Sequence, residues 1–326
     1  MRRSAPLCSH RGRGDWHAAA EDIDAGSQRS QRWQRWYHYA NNAQGALRLL
    51  LRERGNGVSR YLSVFDVLAI AFGVMVGWGA FVMPGTTFLP TAGPLGSVIA
   101  LALGTLIILV IGRNYAYLMV KRPGIGGLYS YVKEAFGRDH AFISSWFLTL
   151  SYLTIVFLNA TALFYITRAG LGGMFTSGAH YTIAGNDVYL SEIAMSAGVL
   201  VIVGALFVLA KPALQKLQTV LAVILGAGIL VIAGVTLPQV DFGMFSQVTP
   251  AAGTSPLVAV LALVLLIPWA LVGFEVVSLE TAHFNFSLKR SWPVLAVAIV
   301  LGGLAYTVMC VASVSVIPEG YASWQA

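Results

Sequence analysis

From residue 65 onward the chain alternates long apolar runs with short polar joints. The runs cover residues 65–88, 95–118, 141–168, 191–210, 214–237, 256–280 and 293–317. Each is long enough to cross the ~30 Å hydrocarbon core as a helix, which takes about 20 residues. The pattern predicts an all-α, multi-spanning membrane helix bundle with seven spans. Residues 1–57 are polar instead, rich in Arg, Gly, Ser and Gln, with aromatics at Trp33, Trp36, Tyr37 and Tyr39. No apolar run with a cleavage site occurs there, which argues against a signal peptide. The chain thus divides into a basic tail, 1–57, expected to be disordered, and a membrane domain, 58–326. Within the tail, residues 44–54 have the composition of a short basic helix lying on a membrane surface.

Two of the runs are interrupted near their middles. The first contains Gly73, Gly77, Trp78 and Gly79, followed by Pro84-Gly85; the second contains Pro268, Trp269, Gly273, Phe274 and Glu275. Backbone without helical hydrogen bonds is tolerated at membrane depth only inside protein or beside a cavity. Interrupted spans at corresponding positions of two halves point to a transporter's binding site. The spacing Gly73-xxx-Gly77 also suits plain helix packing, but Gly79, Pro84 and the second interruption go beyond that need.

Charge orders the joints. Only 11% of residues are charged, against roughly a quarter in a soluble domain. Lys121, Arg122, Lys133 and Arg138 occupy one joint, Lys211 and Lys216 the next but one, and Lys289 and Arg290 the next again. The joints 89–94, 169–190 and 238–255 carry no Lys or Arg. This alternation predicts a cytoplasmic N-terminus in a cell membrane. The net charge of +7 follows from topology and lipid headgroups, and no motif or soluble domain supports a nucleic-acid partner. Cys8 and Cys310 are placed too differently to pair, and the six histidines show no ligand spacing, so neither metal nor cofactor is expected.

A broken helix bares two ends. One presents N–H groups with partial positive charge, the other carbonyls with partial negative charge. A zwitterionic amino acid fits both. Its carboxylate would take the N–H groups near Gly77, Trp78 and Gly79, and its ammonium the carbonyls near Met75 and Trp269. Glycines there allow close approach of substrate to backbone. Glu275 follows the second break, where a carboxylate costs ~2.5–3.5 kcal/mol at the bilayer centre; it either couples transport to a proton or bridges helices. Asn159, on the third run with Thr161 and Tyr152, is a candidate for coupling or gating, or a simple interhelical hydrogen-bonding group. Asp66 reads as a helix-start acid and Glu280 as a solvated or helix-end charge. Trp146 and Tyr181 read as interfacial anchors, and Tyr129–Phe136 as a surface helix.

These segments resemble the amino acid–polyamine–organocation (APC) superfamily permeases. The first break, Gly77-Trp78-Gly79-Ala80-Phe81-Val82-Met83-Pro84-Gly85, is similar to that family's first-helix motif. So are Tyr115-Ala116-Tyr117-Leu118, Pro123-Gly124-Ile125-Gly126-Gly127-Leu128-Tyr129-Ser130-Tyr131 and Phe136-Gly137 to its second block, and Trp269-x-x-x-Gly273-Phe274-Glu275 to its sixth helix. The resemblance covers about residues 60–318. It implies a leucine-transporter-type inverted repeat, with a first repeat over about 60–240 and the start of a second over about 255–318. It implies a secondary active transporter of amino acids or amines, an antiporter or proton symporter working by alternating access, with helices one and six unwound at the substrate. Carboxylate at Trp78 and Gly79, ammonium at the Met75 and Trp269 carbonyls, and Gly273 at the second break are carried over with it. The partners implied are a small-molecule amino acid or amine and membrane lipid, with a homo-oligomer left open. Trp78 departs from the small residue usual there, and Tyr117 from a common Glu, which marks an outlying member. Ending two helices into the second repeat, the chain is expected to be C-terminally truncated. The competing classes are a non-transporting seven-span receptor or sensor, which would have continuous helices, and an inactive permease fragment. A membrane enzyme would need clustered acid, base or metal ligands, and the spans contain none.

Overall fold

A computed structural model describes residues 60–316, apart from residues 125, 173, 184, 247 and 252. The basic tail, with its aromatic cluster and basic helical stretch, lies outside the described residues.

Helix α1 (Val64–Met75) begins with a reciprocal cap: Ser63 Oγ accepts the Asp66 N–H, and the Asp66 carboxylate accepts from Ser63 N–H and Oγ. Asp66 thus serves as the helix-start acid its position suggests. The helix stops at Met75. After residues 76–78 the chain resumes as α2 (Gly79–Met83), widens into a π-turn over Pro84–Phe88 and continues into α3 (Leu89–Lys121). Gly93 breaks α3 near its start, with φ 67° and ψ −174°. A Cβ there would fall 1.7 Å from Thr249 Oγ1, so only glycine fits.

Six helical stretches are long and apolar enough to cross a membrane: Gly79–Lys121, Arg138–Gly170, Leu190–Leu209, Lys211–Gln239, Pro256–His283 and Leu288–Ser315. The first of the seven expected spans is split at residues 76–78, with α1 its 12-residue first part, and Gly79–Lys121 holds its second part and the second span on either side of the Gly93 kink, so the six stretches and the seven expected runs cover the same helices. The protein is a multi-pass, all-α membrane bundle.

The other elements are α4 (Gly127–Phe136), α5 (Arg138–Gly170), α6 (Leu190–Leu209), α7 (Lys211–Thr236), α8 (Pro256–Ala270) and α9 (Ser291–Val316). Helix α8 starts where Ser255 caps the Val258 N–H and Pro256 fills the first turn. Short 3-10 segments cover Leu237–Gln239, Phe242–Phe245 and Leu288–Arg290, and a long one covers Phe274–His283. One feature was not anticipated, an antiparallel hairpin of β1 (His180–Ile183) and β2 (Asn186–Tyr189), paired from His180↔Tyr189 to Ile183↔Asn186. It carries Tyr181.

The packed centre is α3, α8 and α9, with α1 between α9 and α7. Leu101, Leu263, Ile267, Leu295 and Ile299 are fully buried there. Apolar side chains gain little by leaving lipid for protein, so close van der Waals contact holds such helices together. Small residues provide it: a methyl added at Gly104, Gly112 or Gly303 would lie 2.4 Å from Ile267, 2.6 Å from Ile299 or 2.3 Å from Thr105. Helices α5 and α6 are peripheral, and their long apolar faces are largely exposed.

At the basic end the two broken spans are tied together. Lys216 Nζ and Thr219 Oγ1 donate to Asp66 at 2.5 and 3.1 Å. Lys211 pairs with Glu280 at 2.8 Å, and the N–H groups of Tyr61 and Leu62 donate to the His283 carbonyl at 3.0 Å. Of the two readings from sequence, a solvated or a helix-end charge, Glu280 fits the second: it lies in the last turn of the 3-10 helix, nearly buried and paired.

Candidate functional site

The two breaks lie side by side. Helix α1 closes at Val76, whose N–H donates to the Phe72 carbonyl at 2.8 Å. Helix α2 opens with the Ala80 and Phe81 N–H groups donating to the Gly77 and Trp78 carbonyls. Among the described residues no acceptor faces the N–H groups of Gly77, Trp78 and Gly79, as for the first donors of any helix. In the second broken span α8 ends at Ala270, and Gly273 turns the backbone with φ 119° into the 3-10 helix. A Cβ at Gly273 would lie 2.4 Å from Val74 Cγ1 and 3.3 Å from the Val74 carbonyl carbon. The second break is thus pressed onto the last turn of α1. Met75 and Leu271, one from each break, both approach Gly302 of α9.

Glu275 organises this junction. Its Oε2 accepts the Gly273 N–H at 2.9 Å, and its Oε1 accepts the Tyr152 hydroxyl of α5 at 2.9 Å. It is 8% exposed. The carboxylate caps the start of the 3-10 helix, where free N–H groups favour an anion, and fastens that start to α5. Tyr115 sits next to it, edge-on to Phe274 with ring centroids 5.6 Å apart.

One open space lies on the other side of α1. A cleft of about 450 Å³ is lined by Gly73, Val76, Gly77, Trp78 and Asn159, with apolar residues of α5, α6 and α7 completing it. That volume falls within the ~300–1,000 Å³ of ordinary ligand pockets. Asn159 donates to the Ile155 carbonyl at 2.8 Å through Nδ2, leaving Oδ1 toward Gly77, 4.0 Å from where a Cβ would be. The Trp78 indole stacks on Tyr165 with centroids 6.4 Å apart and planes 20° from parallel. The cleft therefore offers bare N–H groups, an amide oxygen and an aromatic wall.

The candidate residues divide into three groups. Gly77, Trp78 and Asn159 line the cleft. Met75, Gly79, Gly273 and Glu275 form the packed junction behind it. Trp269 stands apart: its side chain is 47% exposed on α8, and its carbonyl accepts the Val272 N–H at 3.4 Å. Sequence reasoning passed over Tyr306 of α9. Its hydroxyl is buried 3.1 Å from the position of a Gly79 Cβ and 3.5 Å from the Met75 carbonyl, between the two ends of the first break. A tyrosine inside an otherwise apolar span was the available signal. Tyr152 was noted only for its place on the third span, and its bond to Glu275 links residues 123 positions apart.

Above the cleft, one turn beyond Tyr165, Arg168 grips Glu192. Its Nε and Nη2 donate to the two carboxylate oxygens at 2.6 and 2.7 Å, and Nη2 also reaches the Asp187 carbonyl of the hairpin at 2.6 Å. The Glu192 side chain is 0% exposed. This pair fixes the α5 end, the α6 start and the hairpin in one unit.

The chain is similar to known transporters. A family profile described as amino acid permease matches residues 62–325. The serine/threonine exchanger SteT of Bacillus subtilis is 27% identical over 97 residues, covering 30% of this chain and 22% of that protein. The methylthioribose transporter of the same bacterium is 32% identical over 114 residues, 35% of this chain and 24% of that protein. The chloroplastic cationic amino acid transporter 7 of Arabidopsis thaliana is 32% identical over 158 residues, 48% and 26% of the two chains. The matched segments thus span about a quarter of the length of these relatives.

Proposed function

This chain belongs to the amino acid permease family, and from that premise we propose that it is a secondary active transporter of an amino acid or related amine. It works in the cell membrane by alternating access, as antiporter or proton symporter, with its N-terminus in the cytoplasm. The observation that carries this reading is the gap between Met75 and Gly79, which leaves three N–H groups without an acceptor, two of them, on Gly77 and Trp78, at the cleft. The substrate carboxylate takes the N–H groups of Gly77, Trp78 and Gly79. Its ammonium takes Asn159 Oδ1 and the Met75 carbonyl, displacing the long Tyr306 contact. The indole of Trp78 and the ring of Tyr165 bound the side-chain pocket and favour a small or flat substrate. Gly273 lets the second break follow α1 as it moves, and Trp269 adds its carbonyl once the outer end of α8 closes. Glu275 couples the break to α5, through a proton or through its bond to Tyr152.

Uptake of labelled amino acids and amines into proteoliposomes tests this. The wild type shows saturable uptake of at least one of them. Gly77→Leu fills the cleft, where a Cβ itself meets no clash, and lowers uptake by about tenfold or more, the ~1.4 kcal/mol scale of one lost polar contact. Asn159→Ala raises KM, and Tyr306→Phe leaves the protein folded while changing KM for the ammonium group. Uptake untouched by Gly77→Leu and Asn159→Ala would remove the cleft from the transport path.

A further inference from the structure

We infer that the corner formed by Arg113 and Trp292 is a binding site for the phosphate headgroup of an anionic phospholipid. The depth of Arg113 is set by helix length. Beyond Gly93, α3 runs about 28 residues, or about 42 Å, whereas about 20 residues cross the hydrocarbon core. With Pro94 at the side free of basic residues, Arg113 falls at the opposite edge of the core, and the turns to Lys121 project among headgroups. The Arg113 side chain is exposed, and its guanidinium carbon stands 5.3 Å from the Trp292 ring centroid. Trp292 is the second residue of α9, a level at which tryptophans settle at the interface. A guanidinium stacked on an indole keeps its N–H edge free for a bidentate acceptor.

Two more cations border the corner. The Leu288–Arg290 turn packs against α3, with Leu288 against the core and Lys289 and Arg290 exposed. Four basic residues elsewhere have carboxylates: Lys211 has Glu280, Lys216 has Asp66, Arg122 has Glu134 and Arg168 has Glu192. Arg113, Lys289 and Arg290 have no acidic partner among the described residues, and neither α3, this turn nor α9 contains an Asp or Glu. Three uncompensated cations at the edge of a low-dielectric slab call for an anion. A phosphodiester supplies it, and its acyl chains continue along the exposed Leu106 and Val110, which share the Arg113 face of α3 at three- and four-residue spacing. A soluble anion has nothing to place on that apolar strip, so the occupant is a lipid.

The full chain in vesicles of phosphatidylcholine doped with brominated phosphatidylglycerol, or with brominated phosphatidylcholine as the comparison, tests the site. Subtracting the fluorescence of Trp292→Phe isolates quenching at this indole. Quenching should favour the brominated anionic lipid, and R113Q/K289Q/R290Q should abolish the preference, at about fivefold in relative affinity per cation removed. R113K restores part of it. R60Q/K121Q/K133Q, which removes as much charge from the same side, should retain it. If the triple variant does not fold, R113Q alone carries the test. Equal quenching by both lipids in the wild type, a preference that survives R113Q/K289Q/R290Q, or equal loss in R60Q/K121Q/K133Q would overturn the assignment.

Discussion

Gly273→Ala is the sharpest probe of the junction between the breaks. The substitution meets two separate costs. Its φ of 119° lies where L-residues rarely go, a strain of ~1–3 kcal/mol. Its new Cβ would lie 2.4 Å from Val74 Cγ1, 3.2 Å from Val74 Cβ and 3.3 Å from the Val74 carbonyl carbon. Rotation about χ1 moves only the first of these atoms, so the backbone contact persists, at ~1–3 kcal/mol for overpacking. Together they predict ~2–6 kcal/mol of destabilisation, or a fall in Tm of about 5–15 °C on the scale of a domain this large. Circular dichroism melts of purified protein in detergent measure it. A double-mutant cycle with Val74→Ala separates the two costs: the steric share shows as coupling of about 1–2 kcal/mol, and the torsional share survives in the double variant. An unchanged Tm for Gly273→Ala would refute both the left-handed turn and its contact with α1. Destabilisation without coupling to Val74 would leave the turn and discard the packing.

Two other predictions address the periphery. Glu192→Gln sets the Arg168 guanidinium against a neutral amide; with Arg168 about a third exposed, the cost should be ~1–3 kcal/mol, that of a lost charge-assisted hydrogen-bonded pair, read as loss of Tm and as faster proteolysis at the 180–189 hairpin. Tyr61, outside the spans, has its phenol pushed up to about 12, first by burial and then by the nearby Glu280 charge. A raised phenol pKa leaves stability whole below about pH 10 and erodes it as pH climbs toward about 12, because the unfolded chain ionises first. Absorbance titration at alkaline pH should show late-ionising tyrosine in the wild type, diminished by one tyrosinate in Tyr61→Phe. A titration identical in the variant would discard it.

The sequence by itself determined the membrane class, the place of both interruptions and the family. Apolar length, charge alternation and clustered helix breakers are local signals, and bilayer thickness converts them directly into structure. It placed one run over 65–88, and the backbone breaks inside that run, stopping at Met75 and resuming at Gly79, before Gly93 kinks it into the second run. It missed the hairpin, although His180-Tyr181-Thr182-Ile183 and Val188-Tyr189 around Gly185 carry a strand and turn signature. A membrane-helix reading treats such a short stretch as a joint. What each candidate residue touches was decided only in three dimensions. The cleft opens toward Asn159 on α5, Gly79 faces Tyr306 and Glu275 reaches Tyr152, contacts that join residues 82 to 231 positions apart. Local pattern has no access to such pairings, because they join side chains of helices that are far apart in sequence. The same holds for Arg113: the sequence makes it one more basic residue, and only the crossing of α3 and α9 sets it on Trp292.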